Sequence, residues 1–323
     1  MSVPRISVIV PARDAEATLP RALAGLAGQE LGEPFEVIVV DNGSRDGTAA
    51  LAESSSAVTR VVRRARGEGP GAARNAGVQA AGGSVLVFLD ADCRPAPGWL
   101  AAGVSASGDA DLVQGRVLPD PEARLGPFDR TLSVGAAHGL FETANLFVVR
   151  STFERVGGFP AGLEGSGGAP FGEDVIFGWS ARRAGSRTSF CSRALAYHDV
   201  VARSARQFIA ERTRLALFPA LAAHVPELRE AFFYRRYFLD RRTASFDLAV
   251  AGAALGLLGR RRAAAALGLA LAAAAPYACV AAQGARRWGW RRAPAVALAE
   301  AGADAVGAVA LARGSVAART LVL

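Results

Sequence analysis

Short apolar runs alternate with helix-period segments through the first 90 residues. Residues 6–10, 37–40 and 85–89 are apolar at nearly every position, rich in Val and Ile, and followed by turn residues. Such runs predict strands covered on both faces. Residues 59–62 are a further strand candidate. Between them, residues 18–27 place Leu19, Leu23 and Leu26 on one helical face. A second helix opens at Asp46-Gly47-Thr48 and runs to about residue 53, and a third follows Gly69-Pro70-Gly71 to residue 81. Strand–helix alternation predicts an α/β fold with a mostly parallel central sheet and helices on both faces. Three strand ends carry polar residues: Arg13 and Asp14, Asp41 and Asn42, Asp90 and Asp92. In a parallel sheet those ends meet in one crevice, where ligands bind.

Beyond residue 95 the pattern loosens. A helix is predicted over 99–104, a strand over 111–117, irregular chain over 119–140, a strand over 146–149 and a helical turn over 151–156. Residues 160–172 are rich in Gly and Pro and read as a mobile loop; a helix is predicted over 173–184. Three apolar stretches close the chain. Residues 263–282 hold 20 uncharged residues, long enough to span a bilayer, with Pro276 inside. Residues 243–259 are shorter and contain Asp247; residues 293–312 contain Glu300 and Asp304, one helical turn apart. The composition allows membrane-associated helices or an Ala-rich soluble bundle.

Charge sharpens that choice. All 37 basic residues are Arg, and residues 206–292 carry 15 of them against 5 acidic residues. Basic residues concentrated beside apolar segments favour an anionic membrane surface over nucleic acid. With Phe232, Phe233, Tyr234, Tyr237 and Phe238 among them, residues 206–242 read as a basic amphipathic linker. It follows residues 1–205 as a catalytic domain and precedes residues 243–323 as an apolar helical, membrane-associated region. Three well-separated cysteines, Cys93, Cys191 and Cys279, offer neither a disulfide framework nor metal-ligand spacing. Residues 1–9 do not read as a signal peptide.

Asp90 and Asp92, two residues apart after an apolar strand, can both reach one hard divalent cation, Mn²⁺ or Mg²⁺; a solvated turn is the plainer alternative. Asp41 at a strand end can accept hydrogen bonds from a base or ribose, or simply shape its turn. Glu173 and Asp174 at a helix start offer a general base, or only a favourable charge at the helix dipole. His198 is either a metal ligand or a structural histidine.

Taken together, the segments 6–14 (ISVIVPARD), 23–29 (LAGLAGQ), 36–48, 71–77 (GAARNAG), 88–92 (FLDAD), 144–150 (ANLFVVR), 156–159 (VGGF) and 172–174 (GED) resemble the family 2 glycosyltransferases. These are inverting enzymes with a GT-A fold. The resemblance covers residues 5–200 and implies a residue-by-residue reading. Pro11, Arg13 and Asp41 would line the nucleoside pocket. Arg74 would face the diphosphate or brace Asp41. Asp90 would approach ribose and metal, with Asp92 as the main metal ligand and His198 as a further one. Asp174 would be the catalytic base, with Glu173 beside it. The resemblance implies a nucleotide-sugar donor; the placement of charge in residues 206–242, by itself, points to a glycan or lipid-linked acceptor at the cytoplasmic face of the membrane, with no nucleic acid. A catalytically silent nucleotide-binding or membrane scaffold is the alternative, and fold alone does not exclude it. Two positions depart from the family pattern: Asp14 replaces a usual Asn, and Asn42 replaces a frequent second acid.

Overall fold

The computed structural model describes residues 5–65, 67–164, 170–258 and 263–323. Two compact units divide the chain: Met1–Arg124 with Arg130–Val201, and Leu125–Asp129 with Ala202–Leu323.

The first unit begins with the alternation that the apolar runs predict. In order come β1 (Ile6–Ala12), α1 (Leu19–Ala27), β2 (Phe35–Asp41), α2 (Thr48–Ser54), β3 (Arg60–Arg63), α3 (Pro70–Ala80) and β4 (Val85–Leu89). They are followed by β5 (Cys93–Pro95), α4 (Trp99–Ala106), β6 (Leu112–Pro119), β7 (Asn145–Val149) and α5 (Arg150–Arg155). A two-stranded ribbon, β8 (Leu163–Glu164) and β9 (Pro170–Phe171), precedes α6 (Glu173–Arg183) and β10 (Thr188–His198). The expected loop over 160–172 thus holds that ribbon, and its centre, residues 165–169, lies outside the described residues.

Eight strands form one sheet in the order β3-β2-β1-β4-β7-β6-β10-β5. The first four are mutually parallel; β7 runs antiparallel to β4 and β6, β10 is parallel to β6, and β5 is antiparallel to β10. The sheet is therefore mixed, with its parallel half built from the alternating segment. Leu19, Leu23 and Leu26 of α1 join β1, β2 and β4 residues in the main apolar core, as does Trp99 of α4.

β10 escapes the apolar pattern for a physical reason. Its pairing with β6 jumps between Cys191 and Leu195, so inward and outward positions lose their period of two there. The buried Asn145 side chain fills the irregularity, donating to the carbonyls of Ala194 (2.8 Å) and Arg116 (2.9 Å) and accepting from Trp99 Nε1 (2.8 Å). A Cβ at Gly115 would stand 2.3 Å from the Asn145 amide, so only glycine admits that plug.

The second unit is helical: α7 (Ala205–Glu211), a 3-10 helix (Arg212–Leu217), α8 (Phe218–His224), α9 (Leu228–Ala231), α10 (Arg241–Leu258), α11 (Ala263–Arg286) and α12 (Ala293–Ala318). Residues 206–242, expected as a basic amphipathic linker, hold several short helices and the start of α10. Pro276 sits within α11 without ending it. Among the described residues, α12 is the helix long and apolar enough by length and composition to cross a membrane. The sequence pattern pointed instead to 263–282.

α12 is nevertheless packed. Its small residues meet α7, the 3-10 helix and α8, and a Cβ at Gly314 would stand 2.1 Å from the Ala216 carbonyl oxygen. Its two acids are matched as well. Arg242 of α10 donates to Glu300 (3.0 Å) and to Asp304 (2.8 Å), and Tyr277 of α11 donates to Asp304 (2.7 Å). That pairing explains how two carboxylates reside in an apolar helix.

Candidate active site

Parallel pairing of β1, β2 and β4 brings Asp41 and Asp90 to the same edge of the sheet. The chain after Asp90 turns into β5, whose antiparallel register with β10 sets Cys93 opposite His198. His198 Nε2 consequently faces Asp92 Oδ2 at 3.4 Å. Cys93 Sγ completes a cluster whose three ligand atoms lie within 4.8 Å of one another.

Two of the three suit a hard cation. Donors about 2.1 Å from a common ion at a near-right angle stand about 3 Å apart, close to the Asp92–His198 separation. Burial drives the Cys93 thiol well above its ordinary value, so it stays protonated and is a poor partner for such an ion. Burial also pushes the Asp92 carboxyl up, and the Asp90 charge adds to this while His198 opposes it. A cation would relieve that stress, since it favours the ionised carboxylate.

Asp90 itself turns elsewhere. Arg74, on α3 and 4% exposed, donates to Asp90 Oδ1 at 2.6 Å and reaches Glu173 Oε1 at 3.6 Å. Arg74 therefore braces Asp90 and Glu173, not Asp41. The Asp41 carboxylate instead accepts from the Ser44 N–H at 3.1 Å, shaping its own turn. Below Arg74 lies a cluster of phenylalanines: Phe159 packs on Phe88 (5.0 Å) and on Phe177 (4.6 Å), and the guanidinium sits 5.9 Å above the Phe159 ring.

Asp174 follows Glu173 in the first turn of α6, entered through Gly172 at φ 76°. Burial pushes its carboxyl up to about 7, with the Glu173 charge adding to the shift; Arg74 and the Val175 N–H oppose it. Glu142 contributes in the same direction as Glu173. That residue pairs with His138 at 3.2 Å. Its loop is held to α6 by Trp179 Nε1 donating to the Gly139 carbonyl (2.9 Å) and by the Phe141 ring edge-on to Trp179. Glu142 and His138 carried no motif in the sequence; folding places them near Asp174.

The sequence profile of Glycosyl transferase family 2 matches residues 7–143. The chain carries a family 2 glycosyltransferase domain. Glycosyltransferase AglE of Haloferax volcanii is 32% identical over 214 residues, covering 62% of this chain and 66% of that protein. The undecaprenyl-phosphate 4-deoxy-4-formamido-L-arabinose transferase of Pseudomonas aeruginosa is 38% identical over 99 residues, 28% of this chain and 29% of its own length. The chain thus spans less than two thirds of either relative. Among solved structures, the mannosyltransferase PcManGT of Pyrobaculum calidifontis, in complex with GDP-Man and Mn²⁺, superposes with a TM-score of 0.57 at 23% identity. The match covers 95% of this chain and 87% of that one, and it shows a common GT-A fold.

The family 2 domain's Pro11 and Arg13 close β1 and the loop after it, with the Arg13 side chain 53% exposed. Its guanidinium lies 3.9 Å from the Asp14 carboxylate. Asp174 and His198 lie beyond the matched 7–143 segment, and the fold returns both to the domain's strand-end edge through α6 and β10.

Proposed function

We propose that the chain transfers a sugar from a nucleotide-diphosphate sugar to an acceptor hydroxyl, with inversion at the anomeric carbon. The observation that carries this reading is a base poised near neutrality, Asp174, joined through Glu173, Arg74 and Asp90 to the strand end that bears the Asp92–His198 cation site. Asp174 accepts the proton of the acceptor hydroxyl as oxygen attacks the anomeric carbon. Arg74 holds Asp90 and Glu173 in place, so the donor meets a fixed set of charges. Pro11, Arg13 and Asp41 border the nucleoside pocket, and Asp90 approaches the ribose. Asp92 and His198 would hold a divalent cation, whose chemistry there would be to neutralise charge on the departing diphosphate. Mn²⁺ in the Pyrobaculum structure supports that choice of ion.

The acceptor is a lipid-linked or cell-envelope glycan at the cytoplasmic face of the membrane. The Pseudomonas relative's undecaprenyl-phosphate substrate name supports a lipid-linked class. Attachment runs through α10 and α11, which pack on each other and expose Leu248, Val250, Leu255 and Leu271.

The deciding experiment measures nucleoside-diphosphate release from a panel of sugar nucleotides, with and without Mn²⁺ or Mg²⁺, on membranes holding wild type, Asp92→Ala or Asp174→Asn. Metal-dependent release from one donor is expected, reduced at least 100-fold in both variants. Absence of both release and donor binding in the wild type would replace this reading with a silent nucleotide-sugar scaffold.

A further inference from the structure

Asp199 touches both residues of the cation site through its backbone. Its N–H donates to the Asp92 carbonyl oxygen at 2.9 Å. Its own carbonyl oxygen lies 2.6 Å from His198 Nδ1. A carbonyl can only accept, so Nδ1 carries a proton and donates it there, and Nε2 is the ring nitrogen left to face Asp92. Thr131 Oγ1 adds a weaker bond to the His198 carbonyl at 3.4 Å.

The Asp199 side chain is tied in turn. Arg21 Nη1 donates to Asp199 Oδ1 at 2.9 Å, and Arg21 Nη2 donates to the buried carboxylate of Asp120. Asp120 closes the ring, because its N–H donates to the His198 carbonyl at 2.9 Å. Arg94 reaches Asp120 at 3.3 Å and stacks 5.0 Å from the Tyr197 ring. A residue of α1, far in sequence, therefore clamps Asp199 and Asp120, which bond the His198 ring and the His198 carbonyl respectively. Arg21 is 41% exposed and Asp120 only 3% exposed at the side chain. The clamp is thus anchored on a buried carboxylate, which Arg94 also reaches, and it fixes the backbone beside His198.

We propose that Arg21 and Asp199 are positioning residues that hold His198 in the Nε2-ligating tautomer and at ligating distance from Asp92. This rests on the reading of Asp92 and His198 as a cation site. Partners behind metal-ligating histidines fix ring orientation, and their loss weakens metal affinity by about 10–100-fold. Asp199→Asn keeps both backbone bonds and reduces the ion pair with Arg21 to at most a neutral-acceptor hydrogen bond. Arg21→Gln removes the tie to both carboxylates. Arg21→Lys keeps the charge without the fork that serves two partners.

The test is Mn²⁺ affinity of the full chain in detergent, by electron paramagnetic resonance, without donor or acceptor. Melting of the metal-free protein is recorded in parallel. Both Asp199→Asn and Arg21→Gln should weaken Mn²⁺ by about tenfold or more, with Arg21→Lys between them and wild type. Metal-free melting should change little in Asp199→Asn and fall in Arg21→Gln, because the buried Asp120 loses a partner. Wild-type affinity in both variants, with Asp92→Ala abolishing binding, would overturn the clamp and leave the cation site standing. Failure of the wild type to bind Mn²⁺ would remove the cation site and the clamp together.

Discussion

One arginine among several carboxylates sets the chemistry at the site. Arg74 faces Asp90 and Glu173 directly and lowers Asp174 through space. Removing it as Arg74→Met leaves buried acids uncompensated. A loss of about 3–5 kcal/mol in unfolding free energy is expected by urea titration, and the acidic limb of the pH–activity profile should move upward. Asp174 carries the clearest pH signature. Its folded value of about 7 lies above the ordinary 3.8, so the folded state binds the proton more tightly. The protonated form cannot act as a base, so kcat should rise through pH 7 and fall below it. Stability runs oppositely: the contribution of this group is fully present below its unfolded value and is lost as pH rises through 7. Asp174→Asn removes that loss. The variant should be inactive, melt a few degrees above wild type at pH 8, and approach wild type at pH 5. Equal melting at both pH values would mean that Asp174 is not held neutral by burial.

Asn145 ties three polar groups together at the centre of its sheet. Its amide satisfies a carbonyl on each of β6 and the β10 bulge, and its oxygen takes the buried Trp99 N–H. Asn145→Leu would leave all three without a partner. A cost of about 3 kcal/mol or more is expected, read as a lowered urea midpoint at unchanged slope. For α12, hydropathy and packing disagree. Its composition passes as a membrane span, yet Gly314 lies against the Ala216 backbone. Gly314→Leu should therefore destabilise the helical unit strongly, while Leu298→Gln, at a position 77% exposed, should not. Tolerance of Gly314→Leu would return α12 to the set of free apolar helices. α10 and α11 have the opposite character. With 18 residues, α10 is about 27 Å long, close to the hydrocarbon thickness of a bilayer.

Charge over the whole chain is as uneven in space as in sequence. At the end of α11 and in the turn to α12, Arg286, Arg287, Arg291 and Arg292 are all exposed, with Trp290 80% exposed and stacked on Arg291. Arg and Trp side by side match an anionic headgroup layer. Replacing the four arginines by Gln should weaken binding to phosphatidylglycerol vesicles at least tenfold and remove most of its salt dependence. Native Cys279 on α11 supplies a second readout, because Cys93 and Cys191 are buried. A membrane-impermeant maleimide should label Cys279 in detergent and not in intact vesicles. Labelling in both would place α11 in water.

Much of the site was legible before folding. Polar residues at the ends of β1, β2 and β4 follow from the alternation itself, because parallel strands present their carboxyl ends together. Asp90, Asp92, Glu173 and Asp174 stood out as carboxylates at a strand end or helix start. Local apolar periodicity reports whether a residue is buried, and so it located β1 to β4 and α1. It carries no information on which partner a side chain meets across 100 residues. Only the tertiary structure turned Arg74 to Asp90 and Glu173 instead of Asp41, joined Arg21 to Asp120 and Asp199, and brought Glu142 near Asp174. It alone revealed β10, whose bulge erases the period of two, and it alone set α12 against its neighbours, since a packed small-residue helix and a membrane span share the same composition.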